Sequence, residues 1–203
     1  ENITKLASAH LSCEKMEVYY SNNYEAHKTD TAWLDGLVMA LYDKKCYNSP
    51  VLYKGAQALH AIKPTAQSAY RLGMLSLKRQ NIKEGVAYYE QSASLEPGVD
   101  RKAAIYYEIA SAFRNLDKAE SKKYALRSAE LNPKSGKPYL LLAEMYSSGT
   151  KECGANDFER KALVWLAMDA AKKAENAEPK YKATVAKLME GYSKKKPSKE
   201  EAR

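Results

Sequence analysis

The sequence predicts an all-α solenoid of antiparallel helix pairs, and three observations carry the prediction. Glycine is sparse, 9 residues in 203, while Ala, Leu, Lys and Glu are plentiful, as helical proteins require. Four prolines, Pro64, Pro97, Pro133 and Pro179, close helical stretches at intervals of 33, 36 and 46 residues. Proline cannot continue a helix and turns the residue before it away from the α region, so a recurring proline marks a repeated helix exit. Finally, the residues at fixed distances before each proline resemble one another. Twelve before stand Leu52, Gly85, Ser121 and Ala167; eight before stand Ala56, Tyr89, Ala125 and Ala171. Small residues recur where helices must approach, and the mostly aliphatic Ile62, Leu95, Leu131 and Ala177, two before each proline, are expected to staple the helix end.

The clearest unit runs from Ala66 to Pro97. Leu72-Gly73 lies inside its first helix, Gly85 and Tyr89 inside its second, and Leu95-x-Pro97 closes it. A glycine within a helix costs about 1 kcal/mol against alanine, so two of them need a packing reason, and close approach of the paired helices at Gly73 and Gly85 supplies one. These residues resemble the tetratricopeptide repeat (TPR), with its large-x-x-Leu-Gly in helix A and small-x-x-x-aromatic before a closing proline in helix B. The resemblance implies a right-handed superhelix of antiparallel helix pairs. It extends over roughly residues 29–179, and the segments CEKMEVYY, KKCYNSP and KECGANDFERKALVWLAMDA are also similar to exported TPR proteins of Gram-negative bacteria, a likeness that implies no particular activity.

On this reading the chain is one TPR domain over residues 1–203. Residues 1–28 form an N-terminal capping helix, read from the periodicity of Leu6, Leu11, Met16 and Tyr20. Repeats follow at 29–64, 65–97, 98–133 and 134–179. Asp30 or Thr31 caps the first helix of the first repeat, and Pro50 begins its second. Asp100 is expected to cap the third repeat. In the fourth, Tyr139, Leu142, Ala143 and Tyr146 match a helix A, and the following turn, Ser147–Asn156, is swollen. Asn156 with Glu159 forms a candidate capping box. A helix over Tyr181–Tyr192 is expected to cover the open end as terminal repeats do, within a C-terminal cap at 180–193. Residues 194–203 are polar and expected to fray. The chain begins without methionine and stops where PSKEEA is expected to start another helix, so the native protein is expected to extend further.

The net charge is +8, yet Lys180–Arg203 holds eight Lys/Arg against three Glu, a net +5, so the basicity belongs to the tail and does not mark a nucleic-acid groove. No run approaches the roughly 18 apolar residues of a membrane span. His10, His27 and His60 show no ligand spacing, and Cys13, Cys46 and Cys153 form no C-x-x-C. Nor is there a phosphate-binding loop or nucleophile elbow. No cofactor or metal is expected, and no enzyme activity. Cys13 lies on the first helix and Cys46 just past the end of the next, so packing could bring them near one another; a disulfide and buried free thiols are the two readings. A disulfide would imply an oxidising compartment such as the periplasm or cell envelope, with the cytoplasm as the alternative.

The candidate site is the concave groove that the TPR resemblance implies along the helices A. By offset from the Leu-Gly pair, its lining is Tyr70, Met74 and Leu77 in the second repeat and Tyr107, Ser111 and Arg114 in the third. In the fourth it is Leu140, Glu144 and Ser147, and in the first the equivalents are Asp35, Met39 and Tyr42. The chaperone-type carboxylate clamp of Lys and Asn is absent, so the resemblance implies no co-chaperone role. A Tyr and Met stripe edged by Arg71, Lys78 and Arg114 suits a peptide or protein segment with apolar anchors. Function is therefore expected to be non-catalytic scaffolding through this groove. The alternative is an assembly subunit that self-associates, or builds a cell-envelope complex, through its ends or convex face. A groove binder should stay monomeric, and an assembly subunit should self-associate as concentration rises.

Overall fold

The structure, a computed structural model, describes residues 11–149 and 156–197. Among these residues there are ten α-helices, one 3₁₀ turn and no strand. The helices are α1 (Cys13–His27), α2 (Thr31–Asp43), α3 (Pro50–Ile62), α4 (Ala66–Lys78), α5 (Ile82–Leu95), α6 (Val99–Phe113), α7 (Lys118–Leu131), α8 (Lys137–Gly149), α9 (Asp157–Ala177) and α10 (Lys182–Ser193). A 3₁₀ turn at Pro179–Tyr181 precedes α10. The chain divides into two compact units, Glu1–Glu96 and Pro97–Arg203. In the first, α2 pairs with α3 and α4 with α5; in the second, α6 pairs with α7 and α8 with α9.

Short polar side chains start these helices by accepting hydrogen bonds from first-turn amides that have no partner within the helix. Asp30 accepts from Ala32 N (2.9 Å) and Trp33 N (3.1 Å). Ser49 caps α3, whose first residue is Pro50. Thr65 and Ser68 form a reciprocal box at α4, and Asp117 and Asn156 cap α7 and α9. The exits follow the prolines. Lys63, Glu96, Asn132 and Glu178 each stand directly before a proline, and each leaves the helix with ψ between 78° and 116°.

The recurring positions of the sequence become the contact seam of each pair. Leu52, Gly85, Ser121 and Ala167 are buried, as are Ala56, Tyr89, Ala125 and Ala171. A Cβ on Gly73 would meet the Tyr89 ring at 2.6 Å, and one on Gly85 would meet Leu77 at 2.7 Å and the Gly73 carbonyl at 3.0 Å. Both glycines are thus explained by close approach of α4 and α5. Buried serines tie partner helices further: Ser92 Oγ donates to Ala66 O (2.8 Å), and Ser128 Oγ to Ala103 O (2.8 Å).

Four expectations need correction. Leu11 is not within a helix, because the extended backbone of Ser12 caps α1 at Cys13; Leu6 lies outside the described residues. Asp100 does not cap α6. Gly98 holds that place without a side-chain bond, so Asp100 sits in the first turn, where its charge still suits the helix dipole. The helix at the C-terminal end begins at Lys182, Tyr181 belonging to the 3₁₀ turn before it. Finally, Ile62 and Leu95 are 48% and 46% exposed and so do not close the helix end, whereas Leu131 and Ala177 are half-buried. At about 100° per residue, the position two before the proline is rotated roughly 80–120° off the seam, which takes it out of the helix-pair contact.

The core of the first unit gathers Met16, Leu34, Leu37, Leu41, Leu52 and Leu72. That of the second includes Ile109, Tyr124, Leu142, Val164 and Val185. Helix α1 packs on α2 and α3. A disulfide between Cys13 and Cys46, with Cα atoms 5.6 Å apart, fastens it there. Close by, Ser49 Oγ donates to the Glu17 carboxylate, which also accepts from Val51 N (3.4 Å), so a charge on α1 sits at the N-terminus of α3.

Candidate functional site

In the first unit the candidate residues come from α2 and α4. Asp35 and Met39 are exposed on α2, with Tyr42 half-buried one turn further on. They share α2 with Leu34, Leu37, Val38 and Leu41, which are buried, so the helix has one face in the core and another accessible. From α4, Arg71 reaches across to this accessible face. Its Nη2 lies 2.9 Å from Met39 Sδ, and its guanidinium stands over the Tyr42 ring, 5.3 Å from the centroid. Tyr42 in turn meets Tyr47 edge-on at 5.4 Å. Burial holds the Tyr42 phenol above its usual range, reinforced by Tyr47, with Arg71 opposing. The Nε of Arg71 is buried and has no hydrogen-bond partner.

The other second-repeat candidates lean inward. The Tyr70 ring is tilted on that of Tyr89, 5.2 Å between centroids. Met74 is half-buried against the core of the unit, and Leu77 fills the space that Gly85 leaves open. The structure therefore brings Met39, Tyr42 and Arg71 into one cluster, whereas Tyr70 and Leu77 also serve the α4–α5 pair.

In the second unit, Tyr107 and Ser111 are half-buried on α6, and Arg114 stands at its end. Lys137 Nζ lies over the Tyr107 ring, 5.7 Å from its centroid. Beside Tyr107, burial pushes the Glu108 carboxyl up, with Lys137 opposing. Arg114 pairs with Glu144 of α8, Nη1 to Oε2 at 3.4 Å. Leu140, Glu144 and Ser147 line a cavity of about 480 Å³ between α8 and α10. The α10 side of that cavity was not legible from repeat offsets, because α10 lies past the last repeat. A signal existed in Gly191, a glycine inside a predicted helix with no Leu-Gly motif to account for it.

Elsewhere, His60 is buried between Ser68 Oγ (2.7 Å) and Gln91 Oε1 (3.2 Å), and His27 stacks on Trp33 at 4.9 Å. Both have structural contacts, and among the described residues no group of three His, Cys, Asp or Glu converges on a metal position. No described helix is long and apolar enough to cross a membrane. His10, Cys153 and most of the Ser147–Asn156 turn lie outside the described residues.

No protein-family model and no curated protein matches the chain. Solved structures do. The crystal structure of MamA, a TPR-type helical protein, superposes with a TM-score of 0.62 at 16% identity, covering 81% of this chain and 87% of that one. A second crystal structure of MamA protein gives the same TM-score and identity over 82% of this chain and 83% of that one. The likeness establishes the fold: an all-α helical repeat of TPR type, built from helices packed in adjacent pairs.

Proposed function

We propose that this TPR-type repeat is a non-catalytic scaffold, and that it holds a peptide or protein segment against the accessible face of its first-of-pair helices. The observation that carries the reading is Arg71. A half-buried guanidinium normally takes strong acceptors, because leaving a buried donor unpaired costs about 1–3 kcal/mol. Here one nitrogen meets only a thioether, the plane lies over Tyr42, and Nε has no acceptor. A carboxylate from a bound segment would give the terminal guanidinium nitrogens a strong acceptor in the bidentate geometry that arginine favours. Met39 and Tyr42 around it would bury the segment's apolar groups, Met adapting its shape and Tyr freezing few rotamers.

The test is in-cell crosslinking with the full-length protein, comparing wild type with Arg71→Glu, Arg71→Lys and Met39→Glu. Helical content and melting of each variant are checked first. A partner taken by wild type, lost in Arg71→Glu and Met39→Glu and partly kept in Arg71→Lys is the expected result. The same partner retained by all three would overturn the reading.

The Cys13–Cys46 disulfide supports residence in an oxidising compartment, the periplasm or cell envelope. Alkylating cells before lysis and then reducing the protein should reveal these two cysteines as protected. Two cysteines alkylated at the first step would place the protein in a reducing compartment.

A further inference from the structure

The cavity between α8 and α10 has features of a ligand site rather than of a packing gap. Its volume of about 480 Å³ falls within the roughly 300–1,000 Å³ of small-ligand and side-chain pockets. Leu140, Leu188 and Tyr192 give it apolar walls. Tyr192 is held in place by its hydroxyl, which donates to Ala143 O at 3.3 Å. Two ammonium groups line the cavity, Lys187 on α10 and Lys195 two residues past the helix end, and neither has a carboxylate partner among the described residues. The carboxylate across from them, Glu144, is already engaged by Arg114 at 3.4 Å. The charge left over at the mouth is positive.

Gly191 bears on access to the cavity. Gly55, Gly73, Gly85 and Gly136 stand where a Cβ would strike a neighbour at 2.6 or 2.7 Å. At Gly191 a Cβ would meet nothing within 4 Å, although the residue lies inside α10 and lines the cavity. Glycine in a helix is unfavourable relative to alanine, and here the chain's own packing does not require it. A side chain here would enter open space beside the cavity, as one at Gly36 would on α2.

We infer that this cavity receives a bulky apolar side chain of a partner's extended segment, with an adjacent carboxylate of that segment pairing with Lys187 and Lys195. The inference rests on the scaffold reading and adds to it a second anchor, on different helices from Arg71 and with its own residues. Apolar walls, a positive rim and an open glycine together call for an apolar-acidic sequence, and they disfavour a basic one.

The test titrates the isotope-labelled full chain with acetyl-Gly-Ser-Phe-Glu-Glu-Gly-amide and follows backbone amide shifts. Two control peptides replace Glu-Glu by Lys-Lys, or Phe by Ala. Saturable shifts at Leu188, Gly191 and Tyr192 with the first peptide, and much weaker ones with both controls, are the expected outcome. Gly191→Met fills the cavity from a position where it meets no neighbour, so it should abolish these shifts while melting no lower than wild type. Lys187→Glu/Lys195→Glu, both on exposed side chains, should weaken binding by about tenfold. Absence of shifts on this face, shifts that persist in Gly191→Met, or equal binding of the lysine peptide would each overturn the site. None of these outcomes touches Arg71-dependent capture, which stands or falls by its own variants.

Discussion

Glycines show how much a single position can hold. Gly73 faces the buried ring of Tyr89, 2% exposed, which cannot swing away from an added methyl. Gly73→Ala should therefore destabilise the first unit by about 1–3 kcal/mol, the usual cost of overpacking, despite alanine's better helix propensity. Gly36→Ala and Gly191→Ala, where no atom lies within 4 Å, should instead stabilise by up to about 1 kcal/mol. Urea denaturation of the three variants checks both signs. Tyr53 gives a pH-dependent counterpart. Its hydroxyl is 2.9 Å from Ser76 Oγ, and burial pushes the phenol up to about 12 from an ordinary 10.0. The stability tied to the neutral phenol is complete below pH 10 and is lost as pH rises from about 10 to about 12. Thermal melts across that window should fall less steeply for Tyr53→Phe than for wild type. The Leu72-Gly73 motif was legible in the sequence because it repeats a known pattern. The Arg71 cluster was legible only as a basic edge, because its meaning depends on a thioether and a ring that another helix delivers.

Helices were read well where local chemistry decides them. Asp30, Pro50 and Asn156 at starts and the four residue-proline pairs at exits act within a few residues, so the chain alone specifies them. Boundaries failed where competing local choices were close, as at Ser12 and at Gly98 against Asp100. The cysteines are the opposite case. Whether Cys13 and Cys46 join depends on how α1 lies against the turn after α2, and no local pattern records that. Closing a loop with a sequence separation of 33 should contribute about 3–4 kcal/mol by restricting the unfolded chain. Cys13→Ser/Cys46→Ser should lose that amount in chemical denaturation. Because Met16 and Tyr24 still pack in the core and Glu17 still reaches Ser49, α1 should remain helical in the variant, with its amide exchange accelerated.

For the molecule as a whole, repetition made the fold readable and also limited what could be read of the site. Offsets from one motif place helix A residues in every repeat, yet they cannot say which are taken by their own pair, as Leu77 is, and which stay accessible, as Met39 does. They also end with the last repeat, so the α10 wall of the second-unit cavity fell beyond their reach. Charge is equally uneven, with much of the net +8 near the C-terminal end, where Lys187 and Lys195 face that cavity. One covalent feature has a mechanical consequence. A load applied at the N-terminus passes from Cys13 directly to Cys46 and enters the repeats at α3, so α1 and α2 carry no tension. In a single-molecule pulling experiment, reducing the bridge should lengthen the unfolded chain by about 110 Å, at about 3.4 Å for each residue released. The oxidised protein would then behave under force as though its first two helices were a closed loop outside the line of load.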